Sequence, residues 1–329
     1  MQRYVFLVVL ALLALRGVAH ADAPPPQPTI AVVAVEETVV GHPPAVMYPP
    51  PVLERPKTDV YWHDEWPRFS TFELLLSIAV TARNADLGSH LDGPGGALIE
   101  FEVPILDHGA RDLLRGSTEG RRKAAERLSD VGFRTMVLAP YVVDVAFGAL
   151  VLHRNPDVAL QLALIDFEVL TLAGMTQLLG SRLTGRERPF IAENGCPPGG
   201  CARGDAFRSF LSGHAMASFT GAGLMCVHHE MVPLFGGGAP DAAACALALA
   251  AASTTGVLRI IGDQHWASDV LLGAGAGWAF GYYLPKLLHF HTKKVAKKMA
   301  DSGNGSSLMW MPTFAGSPEG ATAGIAGTF

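Results

Sequence analysis

The segment LRIIGDQHWASDV sets Arg259, His265 and Asp269 in one polar island between apolar stretches. Two similar islands precede it, SRLTGRERPF at 181–190 and FLSGHAMASF at 210–219. Together they offer Arg182, Arg186, Arg188 and Arg259 with His214, His265, Ser212 and Asp269. Guanidinium groups cannot be neutralised by losing a proton and are costly to bury alone, so a group of them asks for an anion. Their planar forks match the oxygens of a phosphate. Ser212 and Gly213 are placed to open a helix, whose first N–H groups point outward unpaired and form an oxyanion site, and Gly213 lets the backbone come close. His265 and Asp269 lie four residues apart and share a face if a helix has begun by then. The carboxylate would hold one ring nitrogen and leave the other to attack. His214 has no acid at that spacing, but beside the anion site it could pass a proton to a leaving group. Each residue alone has a plainer reading, as a helix cap, a solvated arginine or a surface pair. The chemistry follows only if the fold brings the islands together.

The elements that would do so are helical. FSTFELLLSIAVTARNADLG is amphipathic with Ser70 as N-cap. A polar, glycine-containing region and the charged piece EGRRKAAERLSD follow. Then come five apolar segments at roughly 133–152, 158–180, 210–229, 240–258 and 267–286, each near the length of a membrane-spanning helix. The expected fold is all-α, an antiparallel bundle of five to six core helices with the active site at one end. Each island sits at a segment boundary, and an antiparallel bundle puts alternate boundaries at the same end, so the three islands should converge. Arg134, Asp144, Asp166 and Glu168 fall inside the first two segments, where charges are expected to face the bundle interior. The Lys-rich KKVAKK after the last segment fits a cytoplasmic flank, whereas EGRRKAAER would then lie on the exported side. The expectation is an inner-membrane protein with its site facing the periplasm, the alternative being a soluble periplasmic bundle.

The 329 residues are 49% hydrophobic and 17% charged, with net charge −5. An average soluble protein carries roughly 25% charged residues, so the composition suits buried helices or contact with lipid. Without a long basic run beside aromatics, nucleic acid is not an expected partner. Residues 1–21 read as a secretory signal peptide: Arg3, an apolar run from Tyr4 to Leu15, then Ala19-His20-Ala21 as the cleavage triplet. Residues 22–68 are a Pro-rich arm or linker, 69–290 the helical domain, and 291–329 a polar, then Gly-rich tail expected to be flexible. Cys196 and Cys201 frame the tight loop NGCPPGGC, where a disulfide would staple it, and lack further ligands at zinc-site spacing. Cys226 and Cys245 lie in apolar stretches and read as buried thiols, with a second bridge left open.

The ordered motifs resemble the type 2 phosphatidic acid phosphatase and vanadium haloperoxidase superfamily. Its pattern is Lys-x6-Arg-Pro, then Pro-Ser-Gly-His, then Ser-Arg-x5-His-x3-Asp. The counterparts here are SRLTGRERP ending at Arg188-Pro189, LSGH with Ser212, Gly213 and His214, and LRIIGDQHWASD with Arg259, His265 and Asp269. The resemblance covers about residues 130–287 and implies a phosphohydrolase of phosphomonoesters or lipid (pyro)phosphates. It implies His265 as the nucleophile forming a phosphohistidine, Asp269 orienting it, and His214 as the proton donor. Arg188, Arg259, Ser212 and Gly213 would hold the phosphoryl oxygens. It implies no cofactor and no metal, the arginines supplying the positive charge. Three positions depart from the pattern: Ser181 replaces the lysine, Leu211 the proline and Leu258 the serine. Arg182 and Arg186 are the candidates to reach the phosphate in the lysine's stead. The resemblance also admits a vanadate-dependent haloperoxidase, and the missing lysine a non-catalytic phosphate-ligand binder.

Overall fold

In the computed structural model the described residues are 60–89, 103–195 and 206–291, with two strands in the tail. The signal peptide, most of the Pro-rich arm and the Cys196–Cys201 loop lie outside them. The helices, in chain order, are α1 Thr71–Ser89, α2 Pro104–Leu114, α3 Glu119–Ala139, α4 Pro156–Thr184, α5 Pro189–Asn194, α6 Gly213–Met231, α7 Ala239–Ile261, α8 Ala267–Trp278 and α9 Leu284–Leu288. Wider π-type turns extend α3 through Pro140–Leu152 and join α8 to α9 through Ala279–Tyr283. The charged piece EGRRKAAERLSD is thus the first half of α3, continuous with the first apolar segment. The Gly-rich tail holds β1 Met309–Ser317 and β2 Gly320–Thr328, paired antiparallel with Met309 opposite Thr328.

Local sequence explains the helix ends. Ser70 and Glu73 form a reciprocal capping box at α1, the Ser70 N–H donating to Glu73 Oε2 at 2.6 Å and the Glu73 N–H to Ser70 Oγ at 3.3 Å. Asn155 caps α4 by accepting from the N–H groups of Asp157 and Val158, and Pro156 follows at the first helical position. Gly185 ends α4 at φ 51°, a left-handed conformation that costs glycine nothing.

Direction alternates along the bundle. Gln177 of α4 meets Leu211 before α6, while Asp166, eleven residues back, meets His228 near the end of α6, so α4 and α6 are antiparallel. α8 runs parallel to α6 at close range. A Cβ added to Gly273 would lie 2.9 Å from Ser212 O, one on Gly277 2.2 Å from Met216 O, and one on Gly281 2.2 Å from Thr220 O. Three glycines at four-residue intervals therefore let the backbones touch, as in tightly packed helix pairs. On the other side of α6, a Cβ on Gly221 would lie 2.0 Å from Met136 O of α3. These contacts set the starts of α6 and α8 side by side at one end of the bundle.

Cys226 of α6 and Cys245 of α7 are joined by a disulfide across a separation of 19 residues, where the sequence suggested buried thiols. The two half-cystines come together because α6 and α7 pack antiparallel, a pairing that spacing alone does not reveal.

Several charged and polar groups lie inside with the apolar core, and many large apolar side chains lie outside. Asp144, Asp166, Glu168, His228, His229 and Asp241 are buried. His228 Nδ1 sits 2.9 Å from Asp144 Oδ2, and His229 Nε2 3.2 Å from Asp144 Oδ1. The acids of the first two apolar segments thus face the interior, while Arg134 is exposed. Phe72, Leu75, Val142, Phe147, Leu247 and Leu271 are among the large apolar side chains left on the surface. The stretches Glu119–Leu152, Pro156–Ala192 and Ala239–Ile261 are long and apolar enough to cross a membrane. An exposed apolar surface of this extent is one that lipid would cover.

Gly277→Val is expected to destabilise the bundle by about 3 kcal/mol or more through overpacking against Met216, whereas Gly275→Ala, which meets nothing within 4 Å, should be nearly silent. Thermal unfolding in detergent distinguishes the two, and equal effects would count against the close α6–α8 contact.

Candidate active site

All three islands meet at the end of the bundle where α4 and α7 finish and α6 and α8 begin. Backbone contacts zip their loops together. Ser212 N–H donates to Asp269 O at 3.2 Å, Ser209 N–H to Arg186 O at 3.0 Å, and Arg188 N–H to Ala206 O at 2.9 Å. Trp266 Nε1 donates to Glu187 O at 2.9 Å. Ser212 caps α6 by accepting from Ala215 N–H at 3.5 Å, so the helix begins at Gly213 as the motif suggested.

His265 is buried just before α8, and its Nδ1 donates to the carbonyl of Ser209 at 2.8 Å. A carbonyl can only accept, so the proton sits on Nδ1 and the lone pair on Nε2. Burial holds the imidazole pKa well below its ordinary value, and the charges of Arg188 and Arg259 push it the same way. The ring is therefore neutral and nucleophilic near neutral pH.

Asp269 does not orient His265 directly. It is the third residue of α8, whereas His265 precedes the helix, so the four-residue spacing never becomes a shared face. Its carboxylate is held by Ser209 Oγ, by Arg186 Nη1 at 2.6 Å and by the Trp266 N–H at 3.1 Å. The route to the nucleophile runs through Ser209: its hydroxyl is fixed by Asp269 and its carbonyl fixes His265.

Arg186 also departs from expectation. One nitrogen reaches Asp269 and Ser268, and the other reaches Asp107 of α2 at 2.6 Å. Both nitrogens meet buried partners, which gives Arg186 a bracing role between α2 and α8. Arg182 is exposed at the end of α4. One residue turns a helical side chain by about 100°, and Arg182 accordingly leaves the site. Ser181 is buried and accepts from Gln177 Nε2 at 2.8 Å; the same nitrogen donates to Leu211 O at 3.1 Å. The lysine position is thus used to brace the turn before α6.

Arg188 and Arg259 are the candidate cations that lie buried near both histidines. Arg188 Nη1 donates to Gln264 Oε1 at 2.7 Å, beside His265. Arg259 Nη1 donates to Ser129 Oγ at 3.0 Å and lies 3.6 Å from Asp130 Oδ1. Both act electrostatically on His214 as well as on His265. His214 does have an acid: its Nε2 lies 2.8 Å from Asp130 Oδ1, with Phe133 packed on the ring at 4.8 Å. Its pKa is pushed down to about 4, first by burial and then by Arg259, against the upward pull of Asp130.

Asp130, Ser129, Ser209 and Asp107 were not legible as site residues. Asp130 and Ser129 lie in a charged helix 84 residues or more before the histidine and arginine they touch. Asp107 belongs to α2, whose DHGARD run carries no motif. There it accepts from Ser268 N at 2.8 Å and Ser268 Oγ at 2.9 Å, while Arg111 and Arg115 pair with Asp263 at 2.7 and 2.8 Å.

Residues 163–293, which hold all three islands, match the family described as the PAP2 superfamily. This part of the chain is similar to that superfamily. That similarity supports a phosphatase acting on a phosphorylated lipid or small molecule. Among solved structures, a transmembrane PAP2-type phosphatidylglycerolphosphate phosphatase from Bacillus subtilis is similar at 14% identity, covering 69% of this chain and 96% of that one with a TM-score of 0.40. At that similarity it bears on neither substrate nor mechanism. No curated protein matches the sequence.

Asp130→Asn should cut turnover roughly 100-fold on an alkyl phosphate, the scale of one general-acid contribution. On an aryl phosphate whose leaving group departs without a proton, the loss should be several-fold smaller. Equal losses on both substrates would remove Asp130 from proton transfer and leave it a structural role.

Proposed function

We propose that the protein is a phosphohydrolase that works through a phosphohistidine on His265, outside the cytoplasm. The observation that carries this reading is the state of His265: buried, neutral, fixed through Nδ1 by a backbone carbonyl, and within the field of two buried arginines. A neutral imidazole is a nucleophile only at the nitrogen holding the lone pair, and here that is Nε2.

Arg188, Arg259 and the first N–H groups of α6 hold the phosphoryl oxygens and stabilise the charge spread over them in the transition state. His265 Nε2 attacks phosphorus, and the bond from phosphorus to the leaving oxygen breaks. That oxygen takes a proton from His214. In the empty site His214 is neutral at pH 7, with Asp130 accepting from its Nε2–H. Arrival of a phosphate dianion offsets the arginine charge, raises the His214 pKa and brings a second proton onto Nδ1. Water then attacks the phosphohistidine. Neutral His214 takes a proton from the water, inorganic phosphate leaves, and His265 regains its lone pair. The guanidinium groups supply the positive charge that a metal supplies in many phosphoryl-transfer enzymes.

Location follows the same evidence. The site lies at the ends of apolar stretches long enough to cross a membrane, so a bilayer around them would bring it to headgroup level. The leader-like N-terminus supports the exported face as the working side.

Brief incubation with a 32P-labelled phosphomonoester followed by quenching should trap an acid-labile, alkali-stable phosphoprotein in the native chain and none in His265→Ala. His214→Ala should accumulate the label or slow its formation without abolishing it. A labelled His265→Ala protein, or a native chain that turns over substrate with no labelled species at any time, would refute the phosphohistidine.

A further inference from the structure

We propose that Glu73, Glu168 and His289 form a binding site for one divalent transition-metal ion, zinc or manganese in type, that clasps α1 and the chain after α9 onto α4. The site stands apart from the phosphatase chemistry and does not rest on it.

Three segments far apart in sequence meet there. α1 runs parallel to α4: the Phe69 N–H donates to Gln161 Oε1 at 2.8 Å, and Asn84 Nδ2 donates to Thr171 O at 3.2 Å. The chain after α9 packs beside the approach to α1. Phe69 stacks on the His289 ring at 5.6 Å, and Trp62 and Trp66 meet Phe290 at 5.5 and 5.1 Å. Glu168 stands about 24 Å before the end of α4 that meets the phosphate site, at a rise of about 1.5 Å per residue. An ion held here is remote from His265.

The donor atoms fit one ion. Those of the three residues lie within 4.8 Å of one another. Imidazole and carboxylate ligands sit about 2.0–2.2 Å from zinc, so two of them on one ion are at most about 4.4 Å apart. His289 Nε2 is already 2.8 Å from Glu168 Oε2, so only Glu73 has to close in. Its Oε2 accepts from the Ser70 N–H, which leaves Oε1 for the ion. Glu73 is half-buried, and it gives the ion a way in to the two buried partners. Calcium and magnesium take oxygen ligands and soft ions take thiolates, whereas one imidazole with two carboxylates suits zinc or manganese.

Charge asks for the ion. Among the described residues neither Glu73 nor Glu168 meets a lysine or arginine, although acids near them do: Asp157 takes Arg68 at 2.6 Å and Glu230 takes Lys286 at 2.6 Å. Glu168 is 5% exposed, and two carboxylates this close repel each other. His289 is wholly buried, and its Nδ1 has no hydrogen-bond partner, so Glu168 is the ring's one polar contact among the described residues. An imidazolium would offset one carboxylate. A divalent ion offsets both.

The test uses the full chain in detergent, stripped with a chelator and titrated with zinc and, separately, with manganese. Calorimetry should show saturable binding of one ion per chain to this site, and the unfolding temperature should rise with metal concentration. Glu73→Gln keeps an oxygen on the Ser70 N–H, as a capping box allows, and removes the charge. It should weaken metal binding about tenfold or more and leave the metal-free unfolding temperature unchanged. Cobalt in the native chain should give a visible spectrum that His289→Asn alters. A native chain with no saturable binding of either metal overturns the proposal. So does affinity unchanged by Glu73→Gln together with a cobalt spectrum unchanged by His289→Asn, which marks an adventitious ion elsewhere. A Glu73→Gln chain destabilised equally with and without metal also overturns it, and gives Glu73 a packing role.

Discussion

The structure depends on one buried arrangement of charge, the line Asp107–Arg186–Asp269. Each member is almost wholly removed from water. Taking such ions out of water costs several kcal/mol apiece, and their mutual attraction returns that only when geometry is good and the remaining polar atoms are satisfied. Here they are satisfied. Ser268 bonds to Asp107 and Arg186, Ser209 to Asp269, and the Trp266 N–H to Asp269. The line joins α2, the loop after α4 and the start of α8, and adds fixed polar partners to the apolar packing of Ala110 and Leu114 against Ala267 and Val270. Breaking it at one member would strand a charge in the interior, so the segments move together or not at all. The proposed nucleophile inherits this rigidity at one remove: Asp269 fixes the Ser209 hydroxyl, and the Ser209 carbonyl fixes the tautomer of His265.

That arrangement explains which residues were legible. The helices, the convergence of the islands and the pair His214 and His265 follow from apolar periodicity and from the alternation of direction in a bundle, both local properties of the chain. The Ser70 cap of α1 and the Ser212 cap of α6 follow in the same way. What could not be read is partnership across long separations. Arg186 was grouped with Arg188 because they are two residues apart, yet one faces Asp107 and the other Gln264. Asp269 was matched with His265 on a helical spacing that held only if the helix began early, and it begins at Ala267. Asp130 was invisible because it reaches His214 from a helix that, read alone, is a solvated charged surface. Cys226 and Cys245 looked like separate thiols because only the packing of α6 against α7 makes them neighbours.

The two ends of α6 show one economy of design. Its first turn meets the anion site, and its last turn carries His228 and His229 into a buried cluster with Asp144, Asp166 and Asp241. Between them the helix is almost free of polar side chains that reach outward. A chain that buries acids and imidazoles within its apolar core while leaving leucine and phenylalanine on its surface is one suited to apolar surroundings. The buried acids and imidazoles and the exposed apolar side chains are together what association with a membrane would explain.

The replacement of the expected lysine by Ser181 fits this picture through electrostatics. Arg188 and Arg259 already depress the pKa of both histidines, and a third cation beside them would depress it further. For His265 that matters little, since a neutral ring is what attack requires. On the proposed mechanism it matters more for His214, which has to gain a proton before it can give one and whose pKa is already pushed down to about 4. With two arginines, the two charges of a phosphate dianion cancel the local positive field, leaving Asp130 to draw the proton onto His214. With a third cation a net positive charge would persist after substrate binds and oppose that proton. The vacancy at 181 is filled by Gln177, which spends its amide on Ser181 and on the turn before α6 and so exchanges a charge for a brace. If His214 is the acid as proposed, dianionic monoesters, whose charge matches that of the two arginines, would be turned over in preference to monoanionic diesters, which would leave His214 without its proton.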